Sequence, residues 1–213
     1  MTLTIRPEHA AAAASFDSLE GRDLLLLLHG LGSHERDLLP LVQGMSLTDA
    51  ALAPRAPHPW GPGFAWATPT TESDAGRGVG LGPSAEAVLT WLDGLEARWG
   101  HPRRVRLLGF SQGGALALEL LRMAEQRFER VVVLSGFVVD EPREGDRALA
   151  EHRPAVFWGR GDADPIIPAD AVERTRVWLD AHADATVHRY AGLGHSVSLP
   201  ELADVAAFLA DVP

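Results

Sequence analysis

Short apolar runs recur along the chain, and between them apolar residues fall at helical spacing. Asp23 to Leu28 is an unbroken apolar run after its first residue, which predicts a strand buried on both faces, the mark of a parallel sheet covered by helices. Similar runs open at Ala50, Arg104, Arg130 and Ala155, and Thr186 to Tyr190 reads as the last strand. Thr2 to Ile5 alternates weakly and is expected as an edge strand, while Ala10 to Ala14 fits a hairpin connection as well as a helical turn. Helical patterns lie between the runs. Asp37 to Met45 predicts a short helix, with bounds blurred by Pro40 and Gly44. Ser84 reads as the N-cap of a helix to Trp99, with Val88, Leu92, Leu95 and Trp99 on one stripe and Gly100 and Pro102 ending it. Further helices are expected after Gly114, over Ala169 to Ala181 and over Leu202 to Leu209. Pro54 to Trp66 is too rich in proline and glycine for regular structure and reads as a long aromatic loop. Strands alternating with helices predict a doubly wound α/β fold, a mostly parallel sheet with helices on both faces.

Composition narrows the chemistry. The 213 residues, 46% of them hydrophobic, can bury a sizeable core and are expected to form one domain over 1–213. A net charge of -10 argues against a nucleic-acid surface or an anionic membrane as partner. There is no cysteine, so thiol catalysis, thiolate-bound zinc and disulfides are excluded. All 19 basic residues are arginine, which excludes a Walker A lysine, a Schiff-base lysine and a Ser-Lys dyad. Without a signal core or a long apolar span, the chain is expected to be cytoplasmic, with no stable membrane insertion.

The stretch from Arg104 to Leu121 draws the rest together. Its apolar run turns through Gly109-Phe110-Ser111-Gln112-Gly113-Gly114 and continues as an Ala/Leu helix pattern. Gly-x-Ser-x-Gly at a strand-to-helix turn would expose the Ser111 hydroxyl in strained geometry. Gly109 and Gly113 lack the β-carbons that would collide where strand and helix meet, and the helix would aim its positive end at the serine. In such a sheet, residues just past the strand ends gather along one edge. There the chain offers His29 to Ser33, the Ser111 elbow, Asp162 to Asp164, and Gly192 to Ser196. Serine, aspartate and histidine follow in the order of α/β-hydrolases. His195 would take the Ser111 proton, and an aspartate would hold its imidazole. Both Asp162 and Asp164 are available. Asp164 is preferred because Pro165 fixes the chain after it, and Asp162 reads as a turn residue. The Asp-x-Asp pair resembles the start of a calcium loop, but the remaining spacing is absent, so no metal site is read there. Likewise Gly76 to Gly82 resembles a phosphate loop only superficially and reads as a flexible connection, whose role stays open. His29 is expected to support its loop through its ring; His9, His101, His152, His182 and His188 read as surface residues.

The segments LLHGLGSHERDLLPL, GFSQGG, LSGF, GDADPIIP and GLGHSVS together resemble the carboxylesterase/phospholipase family of α/β-hydrolases, which includes acyl-protein thioesterases. The resemblance runs from Leu24 to Leu209. It implies a triad of Ser111, Asp164 and His195, and an oxyanion hole made by the backbone N–H groups of Leu31 and Gln112. It implies a serine esterase acting on short-to-medium-chain esters, thioesters included, with a small-molecule ester as partner and no cofactor or metal. Acyl-protein thioesterase and lysophospholipase activities share that apparatus, and a non-catalytic binding or interaction module on the same fold is the competing class. Arg77 to Gly82 stands where acyl-protein thioesterases carry more chain around the acyl site, and Gly136 to Pro154 is too short for a helical cap domain. An open, uncapped site follows. Trp60, Trp66 and Phe137 are the candidates for the acyl or alcohol pocket. Dimers occur among such relatives, so a homodimer is left open.

Overall fold

The computed structural model describes residues 3–13, 17–45, 50–70 and 78–210. A seven-stranded sheet forms its centre, from β1 (Ala10–Ala12), β2 (Asp23–Leu28), β3 (Ala50–Pro54), β6 (Arg104–Phe110), β7 (Arg130–Leu134), β8 (Ala155–Gly161) and β9 (Asp184–Tyr190). The spatial order is β1-β3-β2-β6-β7-β8-β9, parallel throughout except for β1, which pairs antiparallel with β3. A separate hairpin joins β4 (His58–Trp60) to β5 (Gly63–Ala65). The helices are α1 (Leu39–Gly44), α2 (Gly82–Trp99), α3 (Gln112–Met123), α4 (Asp146–His152), α5 (Ala169–His182) and α6 (Leu199–Ala210).

The unbroken apolar strands are explained by cover on both sides. On β2, Leu24, Leu26 and Leu28 join one core with Val88 and Leu92 of α2, Leu116 and Leu120 of α3, and Leu179 of α5. Leu25 and Leu27 face the other way, into a second core with Val42 of α1 and Val205 and Leu209 of α6. The same alternation places Val131 and Val133 in the first core, and Val132 and Leu134 in the second. Burial at about 25 cal/mol per Å2 of apolar surface therefore acts on both faces of the central strands.

Several local expectations are corrected. Thr2 lies outside the described residues, and Leu3 to Arg6 forms no strand; Ile5 is buried in the first core instead. The edge strand is Ala10–Ala12, whose small side chains pair with Leu52, Ala53 and Pro54. Ser84 is not an N-cap. The helix begins two residues earlier at Gly82, with Pro83 in the first turn, where a missing N–H costs nothing. The Ser84 hydroxyl donates instead to the Trp66 carbonyl. Pro54 to Trp66 is not devoid of regular structure, since it holds the β4–β5 hairpin. Gly61, with φ of 54°, is the first of its two linking residues, where a type II′ turn requires glycine.

Gly76 and Arg77 fall outside the described residues; Gly78 and Gly80 have positive φ in a turn before α2, and Gly82 belongs to the helix. Between β7 and β8 the only helix among the described residues is the seven-residue α4. No helix among them is long and apolar enough to cross a membrane.

Candidate active site

The site is built on the elbow between β6 and α3. Ser111 has φ 54° and ψ -118°, a region costly for any residue with a β-carbon and one in which strain concentrates at functional positions. The strain is held by the surroundings: the Ser111 N–H donates to Leu134 O at 2.8 Å, and its carbonyl accepts the Ala115 N–H at 3.0 Å. A β-carbon on Gly109 would run into the backbone of Gly113, and one on Gly113 would strike the carbonyls of Leu28 and His29. Both glycines are therefore demanded by the approach of α3 to β6 and β2.

From the serine, hydrogen bonds lead back through two loops. Ser111 Oγ donates to His195 Nε2 at 2.9 Å, and His195 Nδ1–H donates to Asp164 Oδ2 at 2.8 Å. The other oxygen, Asp164 Oδ1, accepts the N–H groups of Ile166 at 2.8 Å and Ile167 at 3.3 Å. The Asp164 side chain has no exposure at all, and that of His195 has 17%. Burial works against ionisation of Asp164, but the bonds from His195 and the two backbone N–H groups outweigh it and hold the carboxyl below its ordinary value. The two loops are tied together behind these groups. Ala163 N–H donates to Leu193 O at 3.1 Å, and a β-carbon on Gly161 would strike that same carbonyl. Asp162 accepts the Gly192 N–H at 2.7 Å, so it braces the loop and does not reach His195. The Phe110 ring lies 4.9 Å from the His195 ring and walls one side.

The loop after β2 forms the opposite wall. Gly32, with φ 77°, donates its N–H to Phe64 O at 2.9 Å, and Phe64 N–H donates to Ser33 O at 2.8 Å, so the β4–β5 hairpin holds the loop. His29 is buried below: Nδ1–H donates to Gly30 O at 2.8 Å and Nε2 accepts the Ala56 N–H at 3.2 Å. Burial lowers its pKa and the Gly30 carbonyl only partly offsets this, so the ring is a neutral brace. Among the described residues, the backbone N–H groups of Leu31 and Gln112 donate to no protein acceptor. A hydroxyl bonded to an imidazole, an imidazole bonded to a buried carboxylate, and two unengaged amides together can run nucleophilic attack on a carbonyl.

The comparisons follow the same lines. The family model described as phospholipase/carboxylesterase matches residues 93–212. The chain belongs to that family. Acyl-protein thioesterase 1 of Kluyveromyces lactis is 27% identical over 95% of this chain and 97% of its own. Among solved structures, esterase PE8 is 26% identical with a TM-score of 0.74, covering 98% of each chain. A Bacillus cereus carboxylesterase, 22% identical, shares the fold with a TM-score of 0.77 over 93% of this chain and 92% of that one. Membership makes the protein an α/β-hydrolase and an ester hydrolase of the serine type.

Within this family member the pocket candidates separate. Trp60 stands at the rim, 38% exposed, with its ring 3.6 Å from where a Gly32 β-carbon would be. Trp66 and Phe137 are core residues instead. Trp66 has 0% exposure and Phe137 2%, and both belong to the first core. Trp66 acts from beneath: its Nε1–H donates to His29 O at 2.8 Å, and its ring lies 5.2 Å from that of His29. Their aromatic bulk suggested a lining, but Trp66 supports the loop and Phe137 packs in the core.

The side chain of Gln112 was overlooked in the sequence. It accepts the Trp66 N–H and donates to Ala67 O, each at 2.8 Å, clamping the chain after the hairpin to the elbow. Its place beside Ser111 was visible, but its partners lie 45 and 46 residues away with no local signature. No group of three or more metal-ligating side chains occurs among the described residues.

Proposed function

We propose that the protein is a carboxylesterase that hydrolyses short-to-medium-chain esters through an acyl-enzyme on Ser111. The observation that carries this reading is the unbroken line from Ser111 Oγ to His195 at 2.9 Å and on to Asp164 at 2.8 Å. Ser111 Oγ attacks the ester carbonyl while His195 Nε2 takes its proton. Asp164 holds the tautomer and stabilises the imidazolium. The oxyanion of the tetrahedral intermediate is received by the N–H groups of Leu31 and Gln112, each such donor contributing about 2.7–4 kcal/mol in well-studied cases. The intermediate collapses, the C–O bond breaks, and His195 returns the proton to the departing alcohol. Water, deprotonated by His195, then attacks the acyl-enzyme, and the acid leaves as Ser111 regains its proton.

Ser111→Ala should retain the fold and lose hydrolysis of p-nitrophenyl butyrate, and a fluorophosphonate probe should label Ser111 alone. Activity surviving in the variant, or labelling at another serine, overturns the assignment. The similarity to an acyl-protein thioesterase over 95% of the chain supports a second reading, thioester hydrolysis by the same serine. Rates on a chain-length series of esters beside matched acyl-CoA thioesters separate the two.

A further inference from the structure

A cavity of about 430 Å3 lies between the N-terminal segment 3–7 and α2, and none of its lining residues belongs to the Ser111 site. Leu3, Ile5, Leu95 and Trp99 give it largely apolar walls. Size and lining both suit a small-molecule site, for which about 300–1,000 Å3 is typical.

One arginine and one glycine break the apolar surface. The ring of Trp91 forms part of the wall, while its Nε1–H is buried away from the cavity and has no acceptor among the described residues. A buried tryptophan N–H ordinarily finds one, and an unpaired donor costs roughly 1–3 kcal/mol. Arg98 lies on the same helix about two turns further on, its Cζ 4.9 Å from the Trp99 ring centroid. No carboxylate among the described residues pairs with it, in a chain whose net charge is -10. Gly94 stands between them inside the helix. A β-carbon there would meet nothing within 4 Å, so packing does not demand a glycine, although glycine costs a helix interior about 1 kcal/mol. The missing side chain leaves the cavity open beside Arg98.

An exposed guanidinium with no carboxylate partner among the described residues, at the mouth of an apolar hollow, calls for an anionic oxygen group on an apolar tail. We propose that this cavity is a second binding site, separate from Ser111, for a carboxylate with an apolar tail. The tail lies along Leu3, Ile5 and Leu95, and the carboxylate meets Arg98. The site does not depend on the reaction proposed for Ser111, because binding is read without hydrolysis.

The test is isothermal titration calorimetry with octanoate, and with octanol as the uncharged control. Gly94→Leu fills the hollow with a better helix former whose β-carbon meets nothing within 4 Å, and circular dichroism checks that the variant folds. The unaltered protein should bind octanoate at one saturable site. Gly94→Leu should weaken binding at least tenfold. Arg98→Gln should weaken octanoate about fivefold or more and leave octanol unchanged. Hydrolysis should be untouched in both variants. The proposal is overturned if octanoate does not bind, or binds Gly94→Leu as well as it binds the unaltered protein. It is also overturned if light scattering shows a dimer that Gly94→Leu dissociates, which would give the cavity to a second copy of the chain.

Discussion

Replacing Glu201 by glutamine should gain stability relative to the unaltered protein as pH rises from acid to alkaline solution. Glu201 lies in the first turn of α6 with no exposure to solvent. Its N–H donates to Ser198 Oγ and its Oε2 accepts the Ser198 N–H, both at 3.3 Å, the reciprocal pattern of a capping box. Among the described residues Oε1 has no partner, and it faces the backbone of Gly159, where any side chain on β8 would collide with it. Burial, helped by the charge of Asp204, pushes the carboxyl from 4.5 to about 7, against the pull of the Ser198 N–H.

The sign follows from proton counts. Between about 4.5 and about 7 the folded protein keeps a proton that the unfolded chain has released, so stability falls as pH rises through that window and is level on either side. At roughly 1.4 kcal/mol per unit, the full loss is about 3 kcal/mol. Glutamine keeps the shape and does not titrate, but its amide leaves donors unpaired beside Gly159, at a cost of about 1–3 kcal/mol at every pH. Urea unfolding of both proteins at pH 4.5, 6, 7 and 8 isolates the effect, because every other titrating group cancels in the difference. The variant should gain about 3 kcal/mol on the unaltered protein between the two ends. A difference that does not change with pH refutes the reasoning.

Asp164→Asn should keep the fold and lower kcat for p-nitrophenyl butyrate by about 10^4-fold, the loss seen where an asparagine leaves the imidazole in the wrong tautomer; a loss below tenfold would deny Asp164 that role. Gly113→Ala should lower the melting temperature sharply, because its methyl group strikes the carbonyls of Leu28 and His29. Gly94→Ala, which meets nothing, should raise stability by about 1 kcal/mol in the same assay. Arg122→Met should cost about 3–5 kcal/mol in chemical denaturation, since Arg122 is buried between Glu119 and Asp146 and its loss leaves Asp146 without its ion-pair partner, while Glu119 keeps Arg143.

The parts legible in the sequence are those in which local pattern and global position agree. Leu24 to Leu28 had to be covered on both sides, and it is. Gly109 and Gly113 were expected where a strand and a helix crowd each other, and β-carbons there would strike backbone. Parallel topology then brings the loops after β6, β8 and β9 to one edge, so Ser111, Asp164 and His195 meet although 31 and 84 residues separate the bonded pairs. What misled was residue type taken without direction. Trp66 and Phe137 are large and aromatic in loops, which fits a pocket wall as well as a core wedge. Which of the two holds is decided by partners such as His29, whose position the sequence around Trp66 does not encode.

That difference also bears on where specificity resides. The elements around Ser111 that resist change are backbone: the carbonyls of Leu28 and His29 against Gly113, the N–H groups of Leu31 and Gln112, and the Gly32–Phe64 pairing. Beneath them Trp66, His29 and the Gln112 side chain form one braced unit, each bonded to the main chain of another segment. On the proposed mechanism, a substitution in this unit should shift the Leu31 and Gln112 amides assigned to the oxyanion and so act on kcat for every ester alike. Trp60 is different. It is partly exposed, stands beside Gly32 and belongs to a three-residue strand of a hairpin outside the main sheet. Changes there can alter the fit of one acyl or alcohol group against another without disturbing the amides, so selectivity among esters should move with Trp60 while the reaction itself stays with the buried unit.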